Sequence, residues 1–519
     1  MKKILIAMAL CLSATAGAQS LVLLHTNDTH SAIDADASGR GGVLARKALI
    51  DSVRAAEKNV LLVDAGDVVQ GSLYFKLYNG EVEYPLMNLM DYDVRILGNH
   101  EFDNGLDDLA RFWRGVKADR LSANYDFSDT PAKGLFKPWT IKKIGGKKVG
   151  FIGLNVDPQS LIVAENYAGM KFKDPIATAN EAAAELKKHG ADLVVAITHI
   201  GYDEPLGRPD DIALAKASKD IDIIIGGHSH TLIDPATPEK TPHWILNADG
   251  SDVLVAQTGR NGRYLGYIKL DLSDFKNQKM DYRVIPVTER FAPEAYSKEI
   301  IDFLAPYRSG VDSLNNLAVA WSLTEMPTGI STGAYPNWTA DFAVDYSREL
   351  ADTLRTSGLE IPNIDLAIMN VGGIRQPMRP GAVTEGQIMA TFPFANRLRI
   401  IGLNGSDLIE TFRTVAGKGG ESVSREVKAI LNADGSFKQA LINGKPIDPN
   451  REYIITTIDY LAEGNDDMTP LKRHRPIWSD NREMYHRVLD YLRNLTAAGI
   501  PVTSDPSPRF VEDARNNLK

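Results

Sequence analysis

The sequence predicts a layered α/β chain followed by a second, mixed α/β unit. Three observations lead there. Short, almost unbroken apolar runs recur from residue 21 onward, the pattern of strands buried on both faces. Helix-like stretches alternate with those runs, as in a layered α/β domain. A polar stretch near Thr288 then interrupts the pattern, which resumes with a different spacing.

In the first unit the strand candidates are residues 21–24, 60–63, 95–97, 149–154, 193–197, 221–225 and 253–256. Residues 180–189 and 212–219 read as helices between strands. Residues 293–316 read as a connecting helix. A Gly/Pro/Thr-rich segment, 326–337, precedes a predicted helix at 340–356. Strands are expected at 365–369, 398–401 and 453–457, with helices at 406–415 and 482–497. Ser406-Asp407 is the expected N-cap of the first of these helices. The expected divisions are 1–18 for a leader, 19–290, 291–325 for a linking helix region, and 326–519. No internal repeat or low-complexity segment interrupts them.

The 519 residues are 44% hydrophobic and 24% charged, with 42 Gly and 26 Pro, an ordinary globular composition. A net charge of -9 argues against a nucleic-acid polymer as partner. Lys2-Lys3, an apolar stretch at 4–12 and Ala16-Gly17-Ala18 make a secretory signal, with cleavage expected after Ala18. The expected location is therefore periplasmic or secreted, in a bacterium. The sole cysteine, Cys11, lies in this segment, and Leu10 is too bulky for a lipid-attachment motif. The mature chain is thus expected to rely on its core rather than on disulfides. No later apolar run is long enough to span a bilayer and the tail is polar, so no membrane anchor is expected. The sequence carries no signature of oligomeric state.

Five patterns follow the strand candidates in order: Asp28-Thr29-His30, Gly66-Asp67, Gly98-Asn99-His100-Glu101-Phe102-Asp103, Thr198-His199 and Gly226-Gly227-His228-Ser229-His230. Together they hold five of the ten histidines, with carboxylates and one Asn. Mixed imidazole and carboxylate donors suit two transition-metal ions such as Zn or Mn, and a two-metal site implies phosphate-ester hydrolysis. Asp28 and His30 sit two apart at a strand end, so alternation would point both at one metal. Asp67 has two oxygens with which to bridge two cations. Asn99, His199, His228 and His230 complete the donor set. Three residues along a helical turn place Asp103 within reach of His100. The remaining histidines, His25, His189, His243, His474 and His486, are read as structural or solvated. Asp64 is read as a hydrogen-bonding neighbour rather than a ligand.

The motifs of the N-terminal half resemble those of calcineurin-like metallophosphatases. The whole chain resembles the secreted bacterial 5'-nucleotidases (periplasmic nucleotidase/UDP-sugar hydrolase type), which add a C-terminal substrate-binding domain. The resemblance implies a four-layer αββα metallophosphatase domain joined by a helix to a mixed α/β domain. It implies one metal held by Asp28, His30, Asp67 and His230, and a second held by Asp67, Asn99, His199 and His228. It makes His100 the transition-state residue and Asp103 its orienting partner. Asn370-Val371-Gly372-Gly373-Ile374-Arg375 resembles the family's substrate loop, so Asn370, Gly372, Gly373 and Arg375 are expected at the ligand; glycines allow close backbone approach and Arg375 can grip a phosphate. The resemblance also implies Phe394, Asn396, Tyr460 and Asp466 as nucleoside contacts, the two rings stacking on the base.

Two departures stand out. Family members carry another phosphate-binding Arg before the helix placed at 340–356, but no Arg occurs between Arg308 and Arg348. The family's Gly-Gly-Asp-Gly is Gly464-Asn465-Asp466-Asp467 here, and Asp467 adds negative charge beside the nucleotide site. The expected activity is an exported two-metal hydrolase releasing phosphate from nucleoside 5'-monophosphates through metal-activated water. The alternatives are a 2',3'-cyclic-nucleotide phosphodiesterase/3'-nucleotidase, or a nucleotide-binding protein without catalysis.

Overall fold

The computed structural model describes residues 20–159, 161–204, 207–272 and 280–513; the predicted leader lies outside them. Two six-stranded sheets form the first unit. In one, Ser20–Thr26, Val60–Asp64, Val94–Ile96 and Asp119–Leu121 run parallel in that order, and Tyr264–Asp271 and Asp281–Pro286 add antiparallel neighbours beyond Ser20–Thr26. In the other, Asp252–Ala256, Ile223–Ile225, Leu193–His199 and Lys147–Asn155 are parallel, flanked by antiparallel Trp244–Leu246 and Trp139–Ile144.

Alternation along the first strand explains the layering. Leu21 and Leu23 join the core between the sheets, with Phe151, Val195 and Ile224. Val22 and Leu24 face the opposite way, into a core with Leu49, Leu86 and Leu109 from helices. Helices Pro175–Lys188 and Asp211–Ala217 cover the second sheet through Ala183, Leu186 and Leu214. The central strands of both sheets are buried on both faces, which is the four-layer αββα arrangement.

A single-turn helix at Pro293–Ala295 and the helix Lys298–Asn315 then connect the units. Ile300, Leu304 and Val311 pack into the core beneath the first sheet. The second unit centres on a five-stranded sheet in the order Ser422–Val423, Leu366–Met369, Glu452–Ile458, Leu398–Asn404, Arg475–Ser479. Its helices include Ala334–Thr356, Gly405–Gly417 and Met484–Ala497.

Two local expectations change. The long helix begins at Ala334, six residues before the predicted start, and so includes Pro336. Proline is tolerated there because the first turn has no intrahelical acceptor for its missing N–H. The helix Gly405–Gly417 is capped by Asn404 rather than Ser406-Asp407, and no side-chain cap bond forms.

Candidate active site

All the N-terminal donor residues emerge at the C-terminal ends of parallel strands, the ends at which open α/β sheets collect ligands. The local geometry is not the predicted alternation. The first strand ends at Thr26, and Asp28 and His30 lie beyond it with φ of 48° and 46°. Asp67, His228 and His230 are also left-handed, at 54°, 77° and 57°. His199 is the last residue of its strand, not one beyond it. Backbone bonds between loops hold this geometry: Asp28 N donates to Gly66 O at 2.9 Å and His30 N to Asp67 O at 3.0 Å. Gly66, at φ +87°, lies against the Leu97–Gly98 backbone where a Cβ would collide.

Glu101 fastens the loops from below. Its buried carboxylate accepts from the backbone N–H groups of Asp67 (3.0 Å), Val68 (2.9 Å) and Gly98 (2.5 Å). Asn27 does the same on the other side, donating to Asp28 Oδ2 at 2.6 Å and to Gly259 O at 2.8 Å. Neither role was read from the sequence. Glu101 stood inside a recognised motif, but only the fold shows which N–H groups it meets.

The donors converge. His30 Nε2 lies 2.9 Å from His230 Nε2, and these atoms are 3.7 and 3.4 Å from Asp28 Oδ1. His199 Nε2 lies 3.2 Å from Asp67 Oδ2 and 4.0 Å from Asp28 Oδ1. His228 enters through Asn99, whose Oδ1 is 2.9 Å from His228 Nδ1, while its backbone N–H donates to Asp28 Oδ2 at 3.0 Å. Asp28–His30–His230 and Asp28–Asp67–His199 are each compact enough to hold an ion. His30–Asp67–His100 makes a third such group, but His100 is committed elsewhere, as described below.

Three features fit a cation. His199 Nδ1 donates to Ala65 O at 2.7 Å, leaving Nε2 buried with no hydrogen-bond partner. A Cβ at Gly227 would stand 2.7 Å from His199 Nδ1 and 3.1 Å from Asp28 Oδ2, so only glycine permits this approach. The electrostatics ask for positive charge. Burial opposes a proton on His199, but Asp67 and Asp28 outweigh it and carry its pKa up to about 10. Burial keeps His228 (down to about 3), His30 and His230 neutral and able to donate lone pairs. Two buried carboxylates among neutral imidazoles make a donor set that a divalent ion would complete.

His100 stands on the short turn His100–Phe102, and its Nδ1 lies 3.0 Å from Asp103 Oδ2. Burial opposes its charge, but Asp103 and Asp67 prevail and raise its pKa. Its backbone N–H donates to Asp67 Oδ1 at 2.9 Å. From the second unit, Arg375 reaches in to place Nη2 3.4 Å from His30 Nδ1 and 3.5 Å from His100 Nε2.

A cleft of about 880 Å³ separates the units. Asn99, His100 and Asp103 form one wall; Asn370, Gly372, Arg375, Phe394, Asn396, Tyr460 and Asp466 are on the other. Phe394 stands 5.8 Å from the His100 ring, and the Arg375 guanidinium lies 5.9 Å above Phe394. Asp466, at φ 52°, accepts from Asn370 Nδ2 and Tyr460 OH, each at 3.2 Å. Gly373 does not line the cleft. It is buried, and a Cβ there would meet Asn370 Oδ1 at 2.7 Å, so it makes room for Asn370 rather than for a ligand. The added charge of Asp467 is answered from the first unit by Arg208. Lys76 and Glu483 form a second inter-unit ion pair at 2.6 Å.

Metal-donor loops facing an arginine-bearing cleft define a metal-dependent phosphoester hydrolase, and known proteins agree. Residues 21–232 match the calcineurin-like phosphoesterase family and residues 330–473 the 5'-nucleotidase C-terminal domain. The 5'-nucleotidase of Vibrio cholerae is 27% identical over 88% of this chain and 86% of its own. Protein UshA of Escherichia coli is 27% identical over 86% of each. The crystal structure of the 5'-nucleotidase precursor from Thermus thermophilus superposes with a TM-score of 0.82 at 28% identity, over 95% of this chain and 99% of that one. The chain belongs to the 5'-nucleotidase family, joining a calcineurin-like phosphoesterase domain to a 5'-nucleotidase C-terminal domain. It is a nucleotide phosphohydrolase. No described helix is long and apolar enough to cross a membrane.

Proposed function

We propose that this is an exported two-metal enzyme that releases phosphate from nucleoside 5'-monophosphates. The observation that carries the reading is Arg375: a second-domain guanidinium beside both His30 and His100, at the head of a cleft with room for a nucleoside. Asp28, His30, Asp67 and His230 would hold one divalent ion, and Asp67, Asn99, His199 and His228 the other. Zinc and manganese both suit these donors. When bound, the pair supplies a water of lowered pKa and positive charge against the phosphate oxygens.

The chain's own residues do the rest. Asp103 keeps the His100 Nδ1 proton in place, so Nε2 can donate to the phosphoryl group and to the departing 5'-oxygen. Arg375 binds the phosphate and orients it. Phe394 and Tyr460 flank the base, and Asp466 takes the ribose hydroxyls, with Asn370, Gly372 and Asn396 shaping the pocket. The first domain would end near residue 290 and the second begin near 326. The leader at 1–18 and relatives such as UshA support a periplasmic or secreted location.

The test is phosphate release from a panel of nucleotides after chelation and reloading with zinc or manganese. The reading requires 5'-AMP to exceed 3'-AMP and 2',3'-cyclic AMP; the reverse order would favour the cyclic phosphodiesterase/3'-nucleotidase. His100→Asn with full metal content is expected to lose about 10²-fold or more in kcat. Unchanged turnover removes the role given to His100.

A further inference from the structure

Arg260 lies in the loop after Asp252–Ala256 and is absent from the chemistry above. The backbone on both sides of it is latched to the donor loops. Thr258 N and Oγ1 donate to Asn27 Oδ1 at 2.9 and 2.6 Å. Gly259 N donates to Thr231 O at 3.0 Å, and Asn261 N to Asp28 O at 2.7 Å. The backbone that carries Arg260 is therefore fixed beside Asp28 and the His230–Thr231 turn; burial and Arg263 lower the pKa of its guanidinium, and Asp28 opposes them.

Unlike Arg263, which pairs with Asp36 at 2.9 Å, Arg260 has no hydrogen bond or ion pair with any described residue. It is only half-buried, so its N–H groups remain available. From the second domain it is met by Gly329, in the segment that carries no arginine; a Cβ there would lie 3.0 Å from Arg260 Nη2. Gly329 leaves that space to the guanidinium. Arg375 is likewise without an ion pair among the described residues. The two guanidiniums repel each other across the donor cluster, with Asp28 and Asp67 opposing that repulsion, and an anion placed between the two would be held by both. A terminal phosphoryl group has the charge and enough free oxygens to accept from both.

We propose that Arg260 is a second phosphate-binding guanidinium, donating to a phosphoryl oxygen on the Asp28–His230 side of the site while Arg375 holds the His30–His100 side. This rests on the nucleotidase reading above. It also answers the missing arginine of the second domain: the cation comes from the first domain, so it stays with the metal loops rather than with the nucleoside pocket.

The test uses the full manganese-loaded chain and its Arg260→Ala and Arg260→Lys variants, with metal content checked. Calorimetry measures inorganic phosphate, and adenosine competition reports the nucleoside pocket. Arg260→Ala should weaken phosphate about 10- to 100-fold, the scale of a lost charge-assisted hydrogen bond, and leave adenosine unchanged. Arg260→Lys should recover part of the loss. The KM for 5'-AMP should rise by a similar factor, with kcat changed less. Phosphate affinity within twofold of wild type overturns the assignment. So does an equal loss of phosphate and adenosine, or a fall in bound manganese. If the wild type cleaves no nucleotide, the nucleotidase reading fails, while the phosphate comparison still decides Arg260.

Discussion

Replacing Glu101 with Gln tests whether the metal loops are built from beneath. The carboxylate accepts three backbone N–H bonds: Oε2 from Asp67 and Gly98, Oε1 from Val68. Burial and Asp67 push its pKa up to about 7, against the N–H groups that favour its charge, so measurements belong at pH 8. Gln keeps one oxygen. In its best orientation it still serves Asp67 and Gly98, as a neutral acceptor, and turns its amide toward the Val68 N–H. One buried donor is then orphaned and two bonds lose charge assistance, but removing a buried negative charge beside Asp67 offsets much of that loss, leaving a net cost of roughly 1 kcal/mol. In a domain of this size that is about 2 °C in Tm. Loosening Asp67 and the Gly98–Asn99 turn should also weaken metal binding by about 10- to 100-fold, as loss of an outer-shell partner does. Differential scanning calorimetry and manganese titration report the two effects. A variant that melts with the wild type and binds manganese equally well would refute the reasoning.

Three further outcomes are expected. Asp103→Asn should lower kcat for 5'-AMP by about 10²-fold with little change in KM, because it removes the carboxylate that orients and charges His100; steady-state kinetics check this. Phe394→Ala should raise KM by about 10-fold if its ring stacks on a base, with nucleobase-free phosphate monoesters unaffected. Glu421, buried beneath the Asn370–Arg375 loop, has its pKa raised from 4.5 to about 7 by burial. A raised carboxylate pKa favours the folded state at low pH, so this contribution fades as pH rises from 4.5 through about 7. Urea unfolding should show about 3 kcal/mol less pH-dependent loss over that window in Glu421→Gln, which keeps the acceptor for Val371 N and Ser422 N; identical pH slopes would refute it.

Most of the parallel strands were legible because they are apolar runs with both faces buried, and the donor motifs because they close those runs in order; Asp119–Leu121, with two charged residues in three, was missed. The antiparallel strands were less legible. Tyr264–Asp271 dilutes its apolar residues with Lys269 and Asp271, and Trp139–Ile144 is only partly buried. Such strands are recruited by a neighbour rather than announced by composition. Inter-domain pairs were invisible for a related reason. Arg208 and Asp467 are 259 positions apart and belong to no motif, so their meeting depends on how two finished domains dock. Asp467, read from sequence as an added negative charge beside the nucleotide site, is therefore paired.

The backbone of the donors explains most about how this site is made. Five candidate ligands, Asp28, His30, Asp67, His228 and His230, adopt φ values that cost a side-chain-bearing residue about 1–2 kcal/mol each. Strand alternation would have avoided that cost, but it would also have spread the donors along the sheet. A left-handed residue turns the chain abruptly instead, so a loop of a few residues can aim two side chains into one volume. The turn persists only if its N–H and C=O groups are engaged, and they are engaged by other donor loops: Asp28 by Gly66, His30 by Asp67, Asn261 by Asp28. The loops thus brace one another, and none would hold its ligand geometry alone. That mutual bracing brings His30 Nε2 and His230 Nε2 to 2.9 Å around Asp28 before any ion is considered. Of the imidazoles in the assembly, His199 is drawn furthest toward its charged form, by Asp67 and Asp28. A cation would replace the His199 proton in a frame already paid for by backbone hydrogen bonds, so binding would draw on electrostatics rather than on reorganisation.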